Sequence, residues 1–162
     1  MSYYEIIEIL YPSCLKPIID VIKQIDESVV DMDLCSIRKV DDEITIIIIS
    51  KNDKCCPITI DLFKNKHKKI LQITFGNDGR FIVEDILNNE IPGEIISEFR
   101  QFLELTIGER LTVVNGKVVK SAYKFMGKTS GELSKQPYRG YRRIIWPWEK
   151  RNIINNNYTP WI

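Results

Sequence analysis

The sequence predicts an α+β fold, in which an antiparallel sheet of about five to seven strands has helices packed on one face and is followed by an aromatic, basic C-terminal tail. Apolar residues first recur at helical spacing and then alternate along several short segments. Short connections between these segments favour antiparallel strands. The chain has 162 residues, 44% of them apolar, so it can bury a core and is predicted to form a single domain over residues 1–162.

Two stretches near the start have apolar residues at i, i+3, i+4 and i+7, the pattern of an amphipathic helix. Pro12 separates the two stretches, and Pro17 suits the first turn of the second helix. The stripes comprise Tyr3, Ile6, Ile7 and Leu10, and then Leu15, Ile18, Ile19 and Ile22.

A change of period then predicts strands. Val30, Met32 and Leu34 alternate with polar residues, which predicts a strand with one wet face. The isoleucine-rich run 44–49 is apolar on both faces and is predicted to be a central strand. Further alternation predicts strands at 58–62, 71–75 and 81–83, the last two joined by a hairpin at 77–79.

Pro92 predicts the start of a third helix, and Gly108 is its predicted stop. The apolar side of this helix comprises Ile95, Ile96, Phe99, Phe102 and Leu103. Asn115-Gly116 lies between two apolar runs and predicts a two-residue hairpin. We therefore expect a helix–sheet core over 1–125 and a tail over 126–162 that packs on this core.

The last 25 residues contain all three tryptophans, interleaved with tyrosines and arginines. Such a segment could stack bases and neutralise phosphates. It could equally pack its rings on the body while its arginines contact acidic groups. We favour the packed tail, because so many exposed rings would form a sticky patch. This interpretation predicts that Trp146, Trp148 and Trp161 are largely buried.

Charge divides the chain. Residues 1–104 contain 19 acidic and 12 basic side chains, a net charge of −7, whereas residues 105–162 contain 3 and 11, a net charge of +8. This asymmetry indicates either a charged partner or two halves that attract each other. The overall charge of +1 argues against a uniformly basic nucleic-acid binder.

The sequence predicts a cytoplasmic protein with no membrane association. Its first residues lack a basic segment, so no signal peptide is predicted. The longest apolar run, 46–49, is far shorter than the roughly 18 residues of a membrane span. The four cysteines have no CxxC spacing, and we expect them to be reduced.

No motif specifies a reaction, and we predict that the protein is not an enzyme. A nucleophilic pair of His67 with Cys55 or Cys56 is possible across a hairpin, but a solvated turn is the simpler interpretation. A single histidine leaves little to hold a transition metal, so no cofactor or metal is expected. Asp31 and Asp33 would share one strand face, as in some hydrolases, yet nothing marks them as buried.

The helical leader in 1–26, the strands between Val30 and Val83 and the acidic stretch 26–43 resemble, in type and without a shared motif, bacterial immunity proteins of polymorphic or contact-dependent toxin systems. The resemblance implies a non-catalytic binding protein of bacterial competition. Such a toxin inhibitor occludes its protein partner, the C-terminal domain of a cognate toxin.

Many toxins have basic clefts, which an acidic partner would bind quickly. On this charge argument, the predicted partner-binding residues are Asp26, Glu27, Asp31, Asp33, Asp41, Asp42 and Glu43. The alternative is a nucleic-acid-associated binding module that uses the C-terminal tail; otherwise we expect no nucleic-acid partner.

Overall fold

The computed structural model describes residues 13–77, 79–86, 89–127, 138–142, 145 and 147–162. The helix predicted at 3–10 lies outside these residues, as does Trp146. Two α-helices are described, α1 (Lys16–Ile22) and α2 (Gly93–Leu103), with short 3-10 helices at Ser13–Leu15 and Lys51–Asp53. The strands are β1 (Ser36–Val40), β2 (Glu43–Ile48), β3 (Ile58–Asn65), β4 (Lys68–Phe75), β5 (Gly79–Ile86), β6 (Thr106–Val114), β7 (Lys117–Met126), β8 (Tyr138–Arg142) and β9 (Arg151–Tyr158).

The described strands form two antiparallel sheets. The first sheet is a meander in the order β1-β2-β3-β4-β5, and the second has the order β8-β7-β6-β9. The fold is therefore α+β with antiparallel sheets, as predicted. The single sheet of five to seven strands is wrong, because the strands after α2 pair among themselves and not with the meander.

Alternation along the meander places one set of branched side chains in the core. Ile46, Ile60 and Ile73 lie side by side across β2, β3 and β4, and all three are fully buried. The preceding residues on β2 and β3, Thr45 and Thr59, point to the opposite face and are only half-buried. The period-2 pattern thus assigns one face of this sheet to the core.

Both helices contribute their apolar stripes to the same core. α1 begins with Pro17 in its first turn, as predicted, and buries Ile18, Ile19 and Ile22. α2 buries Phe99, Phe102 and Leu103. The ring of Phe102 lies 5.1 Å from that of Phe75 on β4, measured between ring centres.

Phe75 also joins the two sheets. Its ring centre is 4.8 Å from that of Tyr123 and 5.5 Å from that of Phe125, both on β7. Phe75 therefore lies where the meander, α2 and the second sheet meet. Edge-to-face contacts of this kind add to the stabilisation that ring burial provides.

The predicted hairpin at Asn115-Gly116 is confirmed. Asn115 has a φ of 51° and Gly116 a φ of 75°, the left-handed conformations that a tight hairpin turn favours. The predicted helix stop at Gly108 is wrong. Helix α2 already ends at Leu103, whose carbonyl accepts the Trp161 N–H, and Gly108 lies within β6 opposite Lys124.

The strand predicted at Val30–Leu34 is also wrong. Val30 makes only an isolated bridge with Ser50. The carboxylate of Asp31 then accepts the N–H groups of Asp33 and Leu34, which forms a turn and leaves Leu34 57% exposed. The regular strand begins only at β1.

Of the tryptophans predicted to be buried, Trp161 is confirmed at 5% exposed and Trp148 is wrong at 76% exposed. Trp148 lies in a turn before β9, whereas the Trp161 indole N–H donates to the Cys56 carbonyl at 2.9 Å. Strand β9 pairs with β6 along its whole length. Among the described residues, no helix is long and apolar enough to cross a membrane.

Candidate functional site

The seven acidic residues predicted to bind a partner lie in two groups. Residues 26–33 form a turn held at the end of β2, where Asp31 N–H donates to the Ile49 carbonyl at 2.8 Å. Residues 41–43 form the β1–β2 hairpin at the other end of the strand. Because β2 has six residues, about 20 Å separates the groups. They do not form one continuous patch.

In the first group, two of the four carboxylates are used within the turn itself. Asp26 accepts the Ser28 N–H at 2.9 Å, and this bond lowers the pKa of the Asp26 carboxyl. Asp31 accepts two N–H groups, as described above. Asp26, Glu27 and Asp33 are all exposed. The carboxylates of Glu27 and Asp33 accept no hydrogen bond within the described turn, so these two are the more available to a partner.

The second group is the more open one, and we call Asp41, Asp42 and Glu43 the acidic hairpin. All three residues are exposed, and Asp41 has a φ of 52°, a conformation that Asp tolerates in turns. None of the seven predicted carboxylates forms an ion pair with another residue in the described ranges. The neighbouring strand β1 lies at the edge of its sheet.

The candidate catalytic pairs are not assembled. Asp31 and Asp33 lie in a turn and do not share a strand face. His67 is exposed in the turn after β3, whereas Cys55 and Cys56 are buried before β3 begins. The eight residues of β3 span about 25 Å between them. The pKa of both thiols is raised, mainly by burial.

The structure contains a buried carboxylate that sequence analysis missed, Glu109 on β6, which is 3% exposed. Its Oε1 accepts the Asn77 N–H at 3.0 Å and the Tyr123 hydroxyl at 2.9 Å. Its Oε2 accepts the Asn156 amide and the Tyr158 hydroxyl, both at 2.8 Å. Four donors thus satisfy both oxygens.

The surroundings of Glu109 are closed. At Gly76, which has a φ of 59°, an added Cβ would lie 2.6 Å from Glu109 Oε1, so only glycine fits. Burial raises the pKa of the Tyr158 hydroxyl, and its bond to Glu109 raises it further, so Tyr158 remains a donor. The arrangement fixes the two sheets together and offers no open position for a substrate.

One sequence signal points to Glu109. It occupies the inward position between Ile107 and Leu111, where the alternation of β6 calls for an apolar residue. A charged residue at such a position requires buried partners. The apolar run predicts a strand only from Leu111 onwards, because Gly108 is the predicted end of the preceding helix, so the pattern alone does not place Glu109 on a strand.

Within the part of the chain that the structure describes, no group of three or more His, Cys, Asp or Glu side chains could hold a metal ion. No protein family, curated protein or solved structure matches the chain.

Proposed function

We propose that the protein is a cytoplasmic, non-catalytic immunity protein that neutralises a cognate bacterial toxin by occluding its C-terminal domain. The main support for the proposal is the acidic hairpin, three exposed carboxylates at one end of the first sheet with no described cation paired to them. Glu27 and Asp33 form a second acidic contact about 20 Å away. A toxin domain with a basic cleft would contact both acidic groups.

Electrostatics gives this surface a role in the speed of binding. Complementary charge raises association rates by about 10- to 1000-fold at low salt, and the effect declines as salt is added. The closed hydrogen-bond set around Glu109 supports a binding role over a catalytic one. The Cys55 and Cys56 thiols are buried and their pKa values are raised, which makes them poor nucleophiles for the candidate pair with His67.

The proposal predicts that the gene directly upstream encodes a large secreted toxin, and the test uses the C-terminal domain of that gene product. We expect the two proteins to co-purify and the toxic activity to be lost in the complex. Neutralising the acidic hairpin with Asp41→Asn, Asp42→Asn and Glu43→Gln should lower the association rate constant about tenfold at low salt. Asn is chosen at position 41 because it also tolerates positive φ.

A matched control removes three exposed acids elsewhere, with Asp20→Asn, Glu94→Gln and Glu98→Gln. This variant should change the association rate constant less than about twofold, because the three charges that it removes lie outside the acidic hairpin. Absence of any complex would overturn the proposal. Equal effects of the two triple variants would remove the acidic hairpin from the interface.

The second candidate is a nucleic-acid-associated module that uses the C-terminal segment. One observation favours it: Trp148 is 76% exposed, in a segment rich in arginine. A basic and aromatic surface of this kind can stack bases and neutralise phosphates. Retardation of single-stranded RNA or DNA, steeply weakened by salt and by Trp148→Ala, would support it.

A further inference from the structure

The outer face of the second sheet, opposite Glu109, carries a groove that the proposed immunity function does not use. The strand register places Arg110 opposite Ala122, and Thr112 between Lys120 and Ile153. Because side chains alternate between faces, these residues share the face turned away from Glu109. The groove has a volume of about 260 Å³.

The floor and walls of the groove differ in chemistry. Ala122 and the buried Thr112 form the floor, and Thr112 supplies a hydroxyl group. Ile145 and Ile153 form apolar walls, with Ile153 44% exposed. The groove therefore offers both a hydrogen-bonding floor and an apolar contact.

Three exposed cations surround this floor, Arg110, Lys120 and Arg151. No described carboxylate lines the groove, and none of the three cations is ion-paired to another described residue. Arg110 and Lys120 lie on adjacent strands and two residues apart along them, which places their Cα atoms about 8 Å apart. Long side chains at this spacing can reach one anionic group.

We propose that this groove binds the phosphate group of a phosphorylated ligand. Arg110 and Arg151 present planar forks that match phosphate oxygens, and Lys120 adds a point charge. Three cations suit a phosphate better than a carboxylate, because phosphate carries more charge and more acceptor oxygens. The apolar walls contact the part of the ligand attached to the phosphate. Phosphate binding in this groove does not depend on toxin inhibition.

Isothermal titration calorimetry of the full chain tests the proposal with three probes: adenosine monophosphate, adenosine, and a short single-stranded oligodeoxynucleotide. We expect a phosphate-bearing probe to bind and adenosine not to bind. Arg110→Gln, Lys120→Gln and Arg151→Gln should each weaken this binding about tenfold, the loss expected for one charge-assisted hydrogen bond. The melting temperature of each variant verifies that it is folded.

Lys124→Gln is the matched control. Lys124 is exposed on the same face of β7, two residues beyond Ala122, and does not line the groove. Its loss should change the dissociation constant less than about twofold.

Tighter binding of the oligonucleotide than of the mononucleotide would identify nucleic acid as the phosphate source. Tighter binding of the mononucleotide would identify a free metabolite. Failure of both phosphate probes to bind, or equal effects of Lys124→Gln and Lys120→Gln, would overturn the proposal.

Discussion

Glu109 shows how one residue can connect distant parts of the chain. Its four donors come from the β4–β5 turn, β7 and β9, at positions 77, 123, 156 and 158. A carboxylate removed from water is tolerated only when its oxygens are satisfied. Burial of the Glu109 carboxylate therefore depends on these four donors.

Glu109→Gln tests this dependence at nearly constant size. The new amide group donates where an oxygen accepted, so two buried donors lose their acceptor. Each unsatisfied buried group costs about 1–3 kcal/mol, and we expect the free energy of unfolding to fall by about 3 kcal/mol. Urea denaturation measures this loss. The control Glu104→Gln, on an exposed residue, should cost less than about 0.5 kcal/mol. Similar values for the two variants would contradict the structural role of Glu109.

Residues whose conformation depends on their neighbours in sequence could be predicted, and others could not. The turn at Asn115-Gly116 follows from its own two residues. The strand predicted at Asp31 is wrong, because an alternating pattern does not reveal that a side chain will accept hydrogen bonds from the neighbouring backbone. The partners of Glu109 are up to 49 positions away, which no local pattern encodes.

Among the elements, the C-terminal strand was the least predictable. Strand β9 has the sequence Arg-Asn-Ile-Ile-Asn-Asn-Asn-Tyr, in which neither period is clear. It forms because β6 offers an unpaired edge, and Asn156 and Tyr158 then supply donors to Glu109. The acidic groups were predicted as one site, although β2 holds them apart, because a sequence gives no separation in space.

Tryptophan fluorescence tests the described placement of the C-terminal segment. Trp161 is buried and Trp148 is exposed, so replacing each by Phe should shift the remaining emission in opposite directions. We expect Trp148→Phe to move the fluorescence maximum to shorter wavelength and Trp161→Phe to longer wavelength. The comparison holds Trp146 constant. Acrylamide quenching should decrease in Trp148→Phe. Shifts in the same direction for both variants would contradict the described placement of the segment.

For the whole molecule, the buried cysteine thiols make the free energy of unfolding depend on pH in the alkaline range. All four cysteines are free, and burial raises the pKa of the Cys55 and Cys56 thiols above the ordinary value of 9.0. Above pH 9 the unfolded chain therefore releases protons that the folded protein retains. Since the folded state then binds more protons, stability falls as pH rises. The contribution is fully present below pH 9.

We expect the melting temperature to be nearly constant from pH 7 to 8 and to decrease above about pH 9. Cys56→Ala should be less stable at pH 7, because it leaves a small cavity. Its melting temperature should nevertheless decline less steeply than that of the wild type between pH 9 and 10. Differential scanning calorimetry measures both slopes. Parallel slopes would assign the alkaline destabilisation to other groups.

The contact between Trp161 and Cys56 also bears on how fast the protein folds. This hydrogen bond joins residues 105 positions apart, and Cys55 pairs with Thr159 across a similar distance. The entropic cost of closing a loop increases only slowly with loop length, so the long separation has a modest effect on stability. Rates respond more strongly, because non-local pairings must form before they are stabilised. The meander and α2 can assemble from near neighbours, whereas Thr159 and Trp161, which follow the last strand, must reach partners more than a hundred residues earlier in the chain.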